Sequence, residues 1–136
     1  MTDPHIHRIQ VRIYYEDTDF SGIVYHARYL HFLERGRTEA LRSCGISHTD
    51  LLAREEPLAF AVRTMKIDWR LPAKIDDMLA VETVFREVRG ARMFLTQAIR
   101  RDGALIAAAD VEAACISLEG RARRLPPDVL DRLQGG

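Results

Sequence analysis

The sequence predicts an α+β fold in which one curved antiparallel sheet wraps around one long helix. Three observations carry this expectation. A single extended helical pattern runs from Ala27 to Cys44 with one apolar side. One strand-like segment precedes it, and four more follow it in succession. Turn residues fall where consecutive strands need hairpins. One apolar helix face and one set of antiparallel strands bury each other most economically when the sheet curls over the helix.

In chain order, His7 to Tyr15 alternates, with Ile9, Val11, Ile13 and Tyr15 on one face of a strand. The helix places Leu30, Leu33, Arg37, Ala40, Leu41 and Cys44 on its inner side, with Gly36 close to them. Its outer side carries Arg28, His31, Arg35, Thr38, Glu39 and Arg42, where pairs such as Arg35–Glu39 add modest support. Gly36 costs about 1 kcal/mol in a helix interior relative to alanine. Close packing against a sheet is the usual reason for accepting that cost. Gly45 is placed to end the helix as a left-handed cap.

A short helical turn is expected near Thr49 to Arg54, then strands over Leu58–Leu71, Met78–Arg89, Ala91–Arg101 and Ala104–Leu118. Gly90 and Asp102-Gly103 supply the hairpin turns. The apolar phase of the second strand switches from Phe60 and Val62 to Met65, Ile67 and Trp69, which reads as a bulge. Pro126 to Gln134 reads as a short closing helix, with Gly135 and Gly136 loose. No repeat, low-complexity tract or linker divides residues 1–136, so one domain is expected.

Twenty basic and twenty acidic residues cancel. Such a balance argues against a general nucleic-acid or anionic-membrane binder, without excluding a local basic patch. Met1-Thr2-Asp3-Pro4-His5 shows no secretory pattern, and no stretch has the uncharged length of a membrane span. The default address is cytoplasmic. Cys44 and Cys115 have neither metal-ligand spacing nor a disulfide framework, and fall in apolar phases as free buried thiols. His5, His7, His31 and His48 are scattered and read as surface residues.

Chemistry concentrates just before the long helix. Tyr14-Tyr15-Glu16-Asp17-Thr18-Asp19-Phe20-Ser21-Gly22-Ile23-Val24-Tyr25-His26 packs aromatics, three carboxylates, a turn glycine and a histidine into a strand-to-helix junction. The first amides of a helix are unpaired donors with partial positive charge, suited to polarising a carbonyl. A carboxylate just upstream can attack beside that group or activate a water. Neighbouring carboxylates at Glu16 and Asp17 are expected to raise the pKa of Asp19 by repulsion. An aspartate at such a place also serves as a turn former or helix cap. Asp17 is the structural candidate, capping or orienting the turn, and Gly22 permits a tight turn and close approach of a substrate.

The run Tyr15-x-Asp17-Thr18-Asp19-x-x-Gly22-x-Val24-Tyr25-His26-x-x-Tyr29, followed by Glu34-x-x-Arg37, resembles the signature of the hotdog-fold acyl-CoA thioesterases. Its nearest likeness is to the bacterial Tol-Pal-associated branch, related to the hydroxybenzoyl-CoA thioesterases. Further echoes are Phe60-Ala61-Val62-Arg63 with Met65, Pro72-Ala73 with Asp76-Asp77-Met78-Leu79, and Arg89-Gly90-Ala91-Arg92.

The resemblance implies hydrolysis of an acyl-CoA thioester to a free acid and coenzyme A, with no metal or redox cofactor. It implies Asp19 as nucleophile or general base, the backbone N–H at His26 as the group that polarises the carbonyl, and an orienting or proton-transfer role for the imidazole. Tyr15 matches a supporting tyrosine, or is an inward-facing core residue. Gly22 and Val24 match the substrate-binding segment, and Glu34 is either a partner for Arg37 or Arg28 or a support for the site. Arg89 and Arg92 flank the Gly90 hairpin where related thioesterases hold the nucleotide. Arg63 and Lys66 are further candidates, though basic residues on strands are commonly just solvated. Phe60, Met65 and Trp69 line an acyl channel or simply fill the core.

The family also implies a homodimer or a tetramer made of two dimers, with Asp19 near the partner subunit. An acyl-carrier protein is a second form in which the acyl group could arrive. Rival readings are a hotdog hydratase or dehydratase, whose acid-base residues do not match, and an acyl-carrier or Tol-Pal envelope-associated interaction module with little turnover. The chain has no Gly-x-Ser-x-Gly elbow, Walker loop or dinucleotide fingerprint.

Overall fold

The computed structural model describes residues 5–135; Met1 to Pro4 and Gly136, for which no leader and a loose end were expected, lie outside the described residues. The order of elements is β1 (His7–Arg12), a 3₁₀ turn (Tyr15–Asp17), α1 (His26–Ser43), α2 (His48–Leu52), β2 (Leu58–Trp69), β3 (Met78–Arg89), β4 (Arg92–Arg101), β5 (Ala104–Ser117) and α3 (Pro127–Gly135). The five strands form one antiparallel sheet in the order β1-β3-β4-β5-β2. This is the helix-in-sheet, hotdog arrangement expected from the sequence. Among the described residues, no helix is long and apolar enough to cross a membrane.

The hairpins turn where the glycines predicted. Gly90 has φ +62°, and Asp102 and Gly103 both have positive φ, as a two-residue hairpin requires. In β2 the register against β5 shifts between Val62 and Thr64, which is the bulge implied by the phase switch. The bulge leaves Val62 exposed while Phe60, Met65 and Ile67 pack against the core.

Gly36 fixes how α1 sits on the sheet. A Cβ there would lie 2.7 Å from Val81 Cγ1 and 3.1 Å from both Gln97 Nε2 and Thr83 Oγ1. Gln97 and Thr83 are buried, and their polar atoms are used: Gln97 Nε2–H donates to Leu33 O and to Thr83 Oγ1, each at 2.9 Å. Arg37 Nη1–H donates to Gln97 Oε1 at 3.1 Å. A buried polar pair is tolerated only when satisfied, and this one anchors the helix where the glycine lets it descend.

Several sequence expectations are corrected. Leu30 is 44% exposed, while Tyr29 and Phe32 enter the core. Glu39 pairs with Arg42, not Arg35. β1 ends at Arg12, and the following 3₁₀ turn leaves Tyr15 72% exposed, so it is not an inward-facing core residue. His7 is half-buried, not a surface residue, with a solvent-inaccessible Nδ1. Both thiols are free, Cys115 fully buried and Cys44 partly so. Gly135 belongs to α3.

Candidate active site

The junction before α1 is held from both sides. Asp17 is buried; its Oδ2 accepts the Tyr14 N–H at 2.8 Å, and its Oδ1 lies 2.8 Å from Arg28 Nε. The Tyr25 N–H donates to Asp17 O. Asp17 therefore ties the 3₁₀ turn to the first turn of the helix, the structural role expected of it. Arg28 pairs with Asp17 and Arg37 bonds to Gln97; Glu34 acts on Arg37 through its charge, without a close ion pair among the described residues.

The next residues form a tight loop. The Asp19 N–H donates to Ile23 O at 2.9 Å, and the Gly22 N–H donates to Asp19 O at 3.1 Å. Gly22 adopts φ +84°, a conformation strained for any residue with a side chain. Bonds from Val24 N–H to Ala73 O and from Ile75 N–H to Gly22 O dock the loop on the segment before β3. Val24 is buried beneath it.

Asp19 emerges from this loop fully exposed. Ser21 donates to Asp19 Oδ1 through its hydroxyl and, at 2.8 Å, through its N–H. These bonds hold the Asp19 carboxyl below its ordinary pKa, the Ser21 hydroxyl acting most strongly. The expected upward shift is thus corrected: Asp17 points inward to Arg28 and does not crowd Asp19.

His26 is the first residue of α1, with Tyr25 as an extended N-cap that provides no side-chain cap. Among the described residues, the His26 and Ala27 amides have no hydrogen-bond acceptor. An open cleft of ≈ 290 Å³ lies here, lined by Asp19, Val24, His26, Tyr29, Trp69 and Pro72, among others. The His26 ring meets Trp69 edge-on at 5.2 Å, and Tyr29 packs on Trp69 at 5.1 Å. Tyr29 Oη accepts the Ala73 N–H at 3.1 Å, and burial pushes its pKa up. Phe20, Ile23, Tyr25 and Leu71 add exposed apolar surface to this end of the molecule. A carboxylate, uncapped helix amides and an apolar wall therefore share one cleft.

The other predicted site residues lie elsewhere. Tyr15 does not line the cleft. Arg89 and Arg92 are register partners across the β3–β4 hairpin, so their side chains share one sheet face. Arg89 sits over the Phe94 ring at 4.6 Å and pairs with Glu87 at 3.1 Å. Arg63 and Arg92 both approach Glu112 Oε2, at 3.4 and 3.9 Å. Arg63 is six residues from Trp69 along β2, which puts this group about 20 Å from the cleft within one chain. Two residues of this region were not among the expected site residues: Tyr29, which lines the cleft, and Ser21, which bonds to Asp19. Tyr29 stood in the quoted motif without a role, and Ser21 was signalled only by its place two residues after an aspartate, where it can close a local turn. Among the described residues, no group of three or more His, Cys, Asp or Glu side chains could hold a metal ion.

Residues 13–133 match the thioesterase-like superfamily. The chain belongs to the thioesterase-like superfamily. Its enzyme class is thioester hydrolase, as expected from the sequence. This thioesterase-like chain is 50% identical over 108 residues to the acyl-CoA thioesterase YbgC of Haemophilus influenzae, covering 79% of each protein. It is 42% identical over 125 residues to the acyl-CoA thioester hydrolase YbgC of Escherichia coli, covering 90% of this chain and 92% of that one. Among solved structures, a probable thioesterase from Bartonella henselae superposes with a TM-score of 0.87 at 47% identity, covering 90% of this chain and 100% of the other. The 4-hydroxybenzoyl CoA thioesterase of Pseudomonas sp. superposes with a TM-score of 0.86 at 22% identity, covering 93% and 98%, a likeness of fold.

Proposed function

We propose that this chain is an acyl-CoA thioesterase in which Asp19 and the N-terminus of α1 act on the thioester. The observation that carries the reading is that Asp19 and the unbonded His26 amide open into the same apolar-walled cleft. The thioester oxygen accepts a hydrogen bond from the His26 N–H, and the helix dipole stabilises negative charge as it develops there. Asp19 then follows one of two routes. It attacks the carbonyl carbon, expels the coenzyme A thiolate and leaves a mixed anhydride that water hydrolyses. Otherwise it removes a proton from a water that attacks, and the tetrahedral intermediate expels the thiolate. In both routes the products are a carboxylic acid and coenzyme A thiol. The imidazole of His26, steadied by Trp69, orients the carbonyl or passes a proton.

Thiol release from a panel of acyl-CoA and acyl-carrier-protein thioesters tests the reading and reports which carrier is used. A folded protein that releases no thiol from any of them would favour an acyl-carrier or Tol-Pal-associated interaction module. We place the reaction in the cytoplasm, which cell fractionation checks.

We further propose that the working unit is at least a homodimer. β2 is an edge strand of twelve residues, paired on one side only, to β5, and it ends at Trp69 in the cleft. Pairing this edge with that of a second copy removes an exposed edge and brings the partner against Asp19 and Trp69. Light scattering at assay concentration should give a dimer or a tetramer made of two dimers; an active monomer would refute it.

Arg89 and Arg92, with Arg63 beside them, are proposed to hold the phosphates of the nucleotide. Neutralising Arg89 and Arg92 together should raise KM for acyl-CoA about tenfold, equivalent to ~1.4 kcal/mol of binding shared by ground and transition states, while kcat changes little. Added salt should mimic the defect by screening exposed charge. A truncated thioester lacking the nucleotide should be unaffected. Equal losses with both substrates would assign the arginines to the fold.

A further inference from the structure

Ser21 is the one residue in the loop that bonds to the exposed carboxylate of Asp19 twice. Its N–H and its hydroxyl both donate to Oδ1, which leaves Oδ2 the less encumbered oxygen. The loop behind it is stiff: Gly22 bonds back to Asp19 O, Asp19 N–H bonds to Ile23 O, and the Ile23 backbone bridges to Lys74. An exposed aspartate ordinarily samples several rotamers, and a reacting group must be held in one to be effective. We infer that Ser21 is a positioning residue, its two donors fixing Oδ1 of Asp19 so that Oδ2 faces the thioester or the attacking water. The inference rests on the reading of Asp19 as the reacting carboxylate.

The same geometry has an electrostatic side. Two donors on one oxygen stabilise the charged form, and the Asp19 carboxyl is held low, with the Ser21 hydroxyl the leading cause. Other charged groups nearby are accounted for. Asp17 is paired with Arg28. His26 from α1 and Arg70 from the segment after β2 line the same cleft. Glu16 lies in the 3₁₀ turn, and Lys74 is in the segment bridged to the loop. None of these is altered by removing the Ser21 hydroxyl, so a change in the titration of Asp19 reports on Ser21. Ser21 itself does not line the cleft, so it acts through Asp19 and not as the nucleophile.

The test uses the full chain with Ser21→Ala and Ser21→Thr, assayed by thiol release and by ¹³C NMR titration of the Asp19 carboxyl carbon. Asp19→Asn identifies the signal. Ser21→Ala should lower kcat about tenfold with KM little changed, the pattern of a misplaced reacting group. The Asp19 titration and the acid limb of kcat/KM should both move to higher pH, because the charged form has lost a donor. Ser21→Thr, which keeps the hydroxyl, should restore both.

An unchanged kcat together with an unmoved titration in Ser21→Ala would overturn the inference. So would a loss as large as that of Asp19→Ala, which would make Ser21 a reacting group. If the unsubstituted protein releases no thiol from any thioester, the thioesterase reading fails by itself, since the titration still decides whether Ser21 holds Asp19.

Discussion

Asp19→Ala should reduce turnover of acyl-CoA by roughly two to four decades, the usual scale for losing a positioned acid-base group. Folding should survive, because the Asp19 side chain is fully exposed and bonds within its own loop, chiefly to Ser21. Asp19→Asn should lose nearly as much, since it keeps the shape of the turn but can neither attack nor accept a proton. Asp17→Asn makes the informative contrast. Asp17 bonds to Tyr14 N–H and Arg28 and does not line the cleft, so its loss should loosen the junction and lower stability more than it slows the reaction. Steady-state kinetics and thermal melts on the three variants separate the roles. Near wild-type turnover in pure, folded Asp19→Ala would sink the assignment.

The contrast between these two aspartates also marks where sequence reasoning ran out. Their spacing identified a chemical junction and placed His26 in the opening turn of the helix, because strand alternation and helical period are local patterns. Whether Asp17 crowds Asp19 depends on where each side chain points. Arg28, eleven residues further on, draws Asp17 inward, and that pairing reverses the expected direction of the Asp19 shift. The strands after Leu58 were legible nearly to the residue, since Gly90 and Asp102-Gly103 mark their turns and the bulge shows as a phase switch. β1 was drawn too long because Tyr15 continues the alternation, while the local turn closed by Asp17 on Tyr14 overrides it.

The helix stripe failed for a different reason. At ~100° per residue, Tyr29 lies about 20° from the Gly36 direction and Leu30 about 120° away. Taking Gly36 as the centre of the contact face would have put Tyr29 and Phe32 inside and Leu30 out. Hydrophobicity alone favoured Leu30. The arginines at Arg63, Arg89 and Arg92 came from a family likeness, and whether a substrate spans the distance along the sheet from the cleft to them is what the truncated thioester tests.

Gly36 itself gives the second large effect. Alanine there should gain about 1 kcal/mol of helix propensity, so on an open helix face the change would stabilise. Here the new Cβ meets Val81 Cγ1 at 2.7 Å, closer than carbon atoms can approach. Val81 is fully buried and β-branched, so its χ1 cannot simply rotate away. Gln97 and Thr83, at 3.1 Å, are held to each other and to Leu33 by hydrogen bonds that would have to stretch. Overpacking of this kind costs about 1–3 kcal/mol, and the strained polar pair adds to it. Gly36→Ala should therefore be net destabilising, and Gly36→Val, which adds branched bulk, should be worse by a further 1–2 kcal/mol or so. The substitution should also reach the chemistry. α1 is one rigid element, and Gly36 lies ten residues, about 15 Å, from His26. Lifting the helix at Gly36 moves the His26 amide relative to Asp19, which is held by a separate loop docked on the segment before β3. Melting temperature and kcat should fall together in Gly36→Ala, with KM for acyl-CoA changed less. A second substitution that makes room, Val81→Ala, should recover part of both losses. If Gly36→Ala instead raises the melting temperature and leaves kcat intact, the helix does not rest on the sheet at this residue.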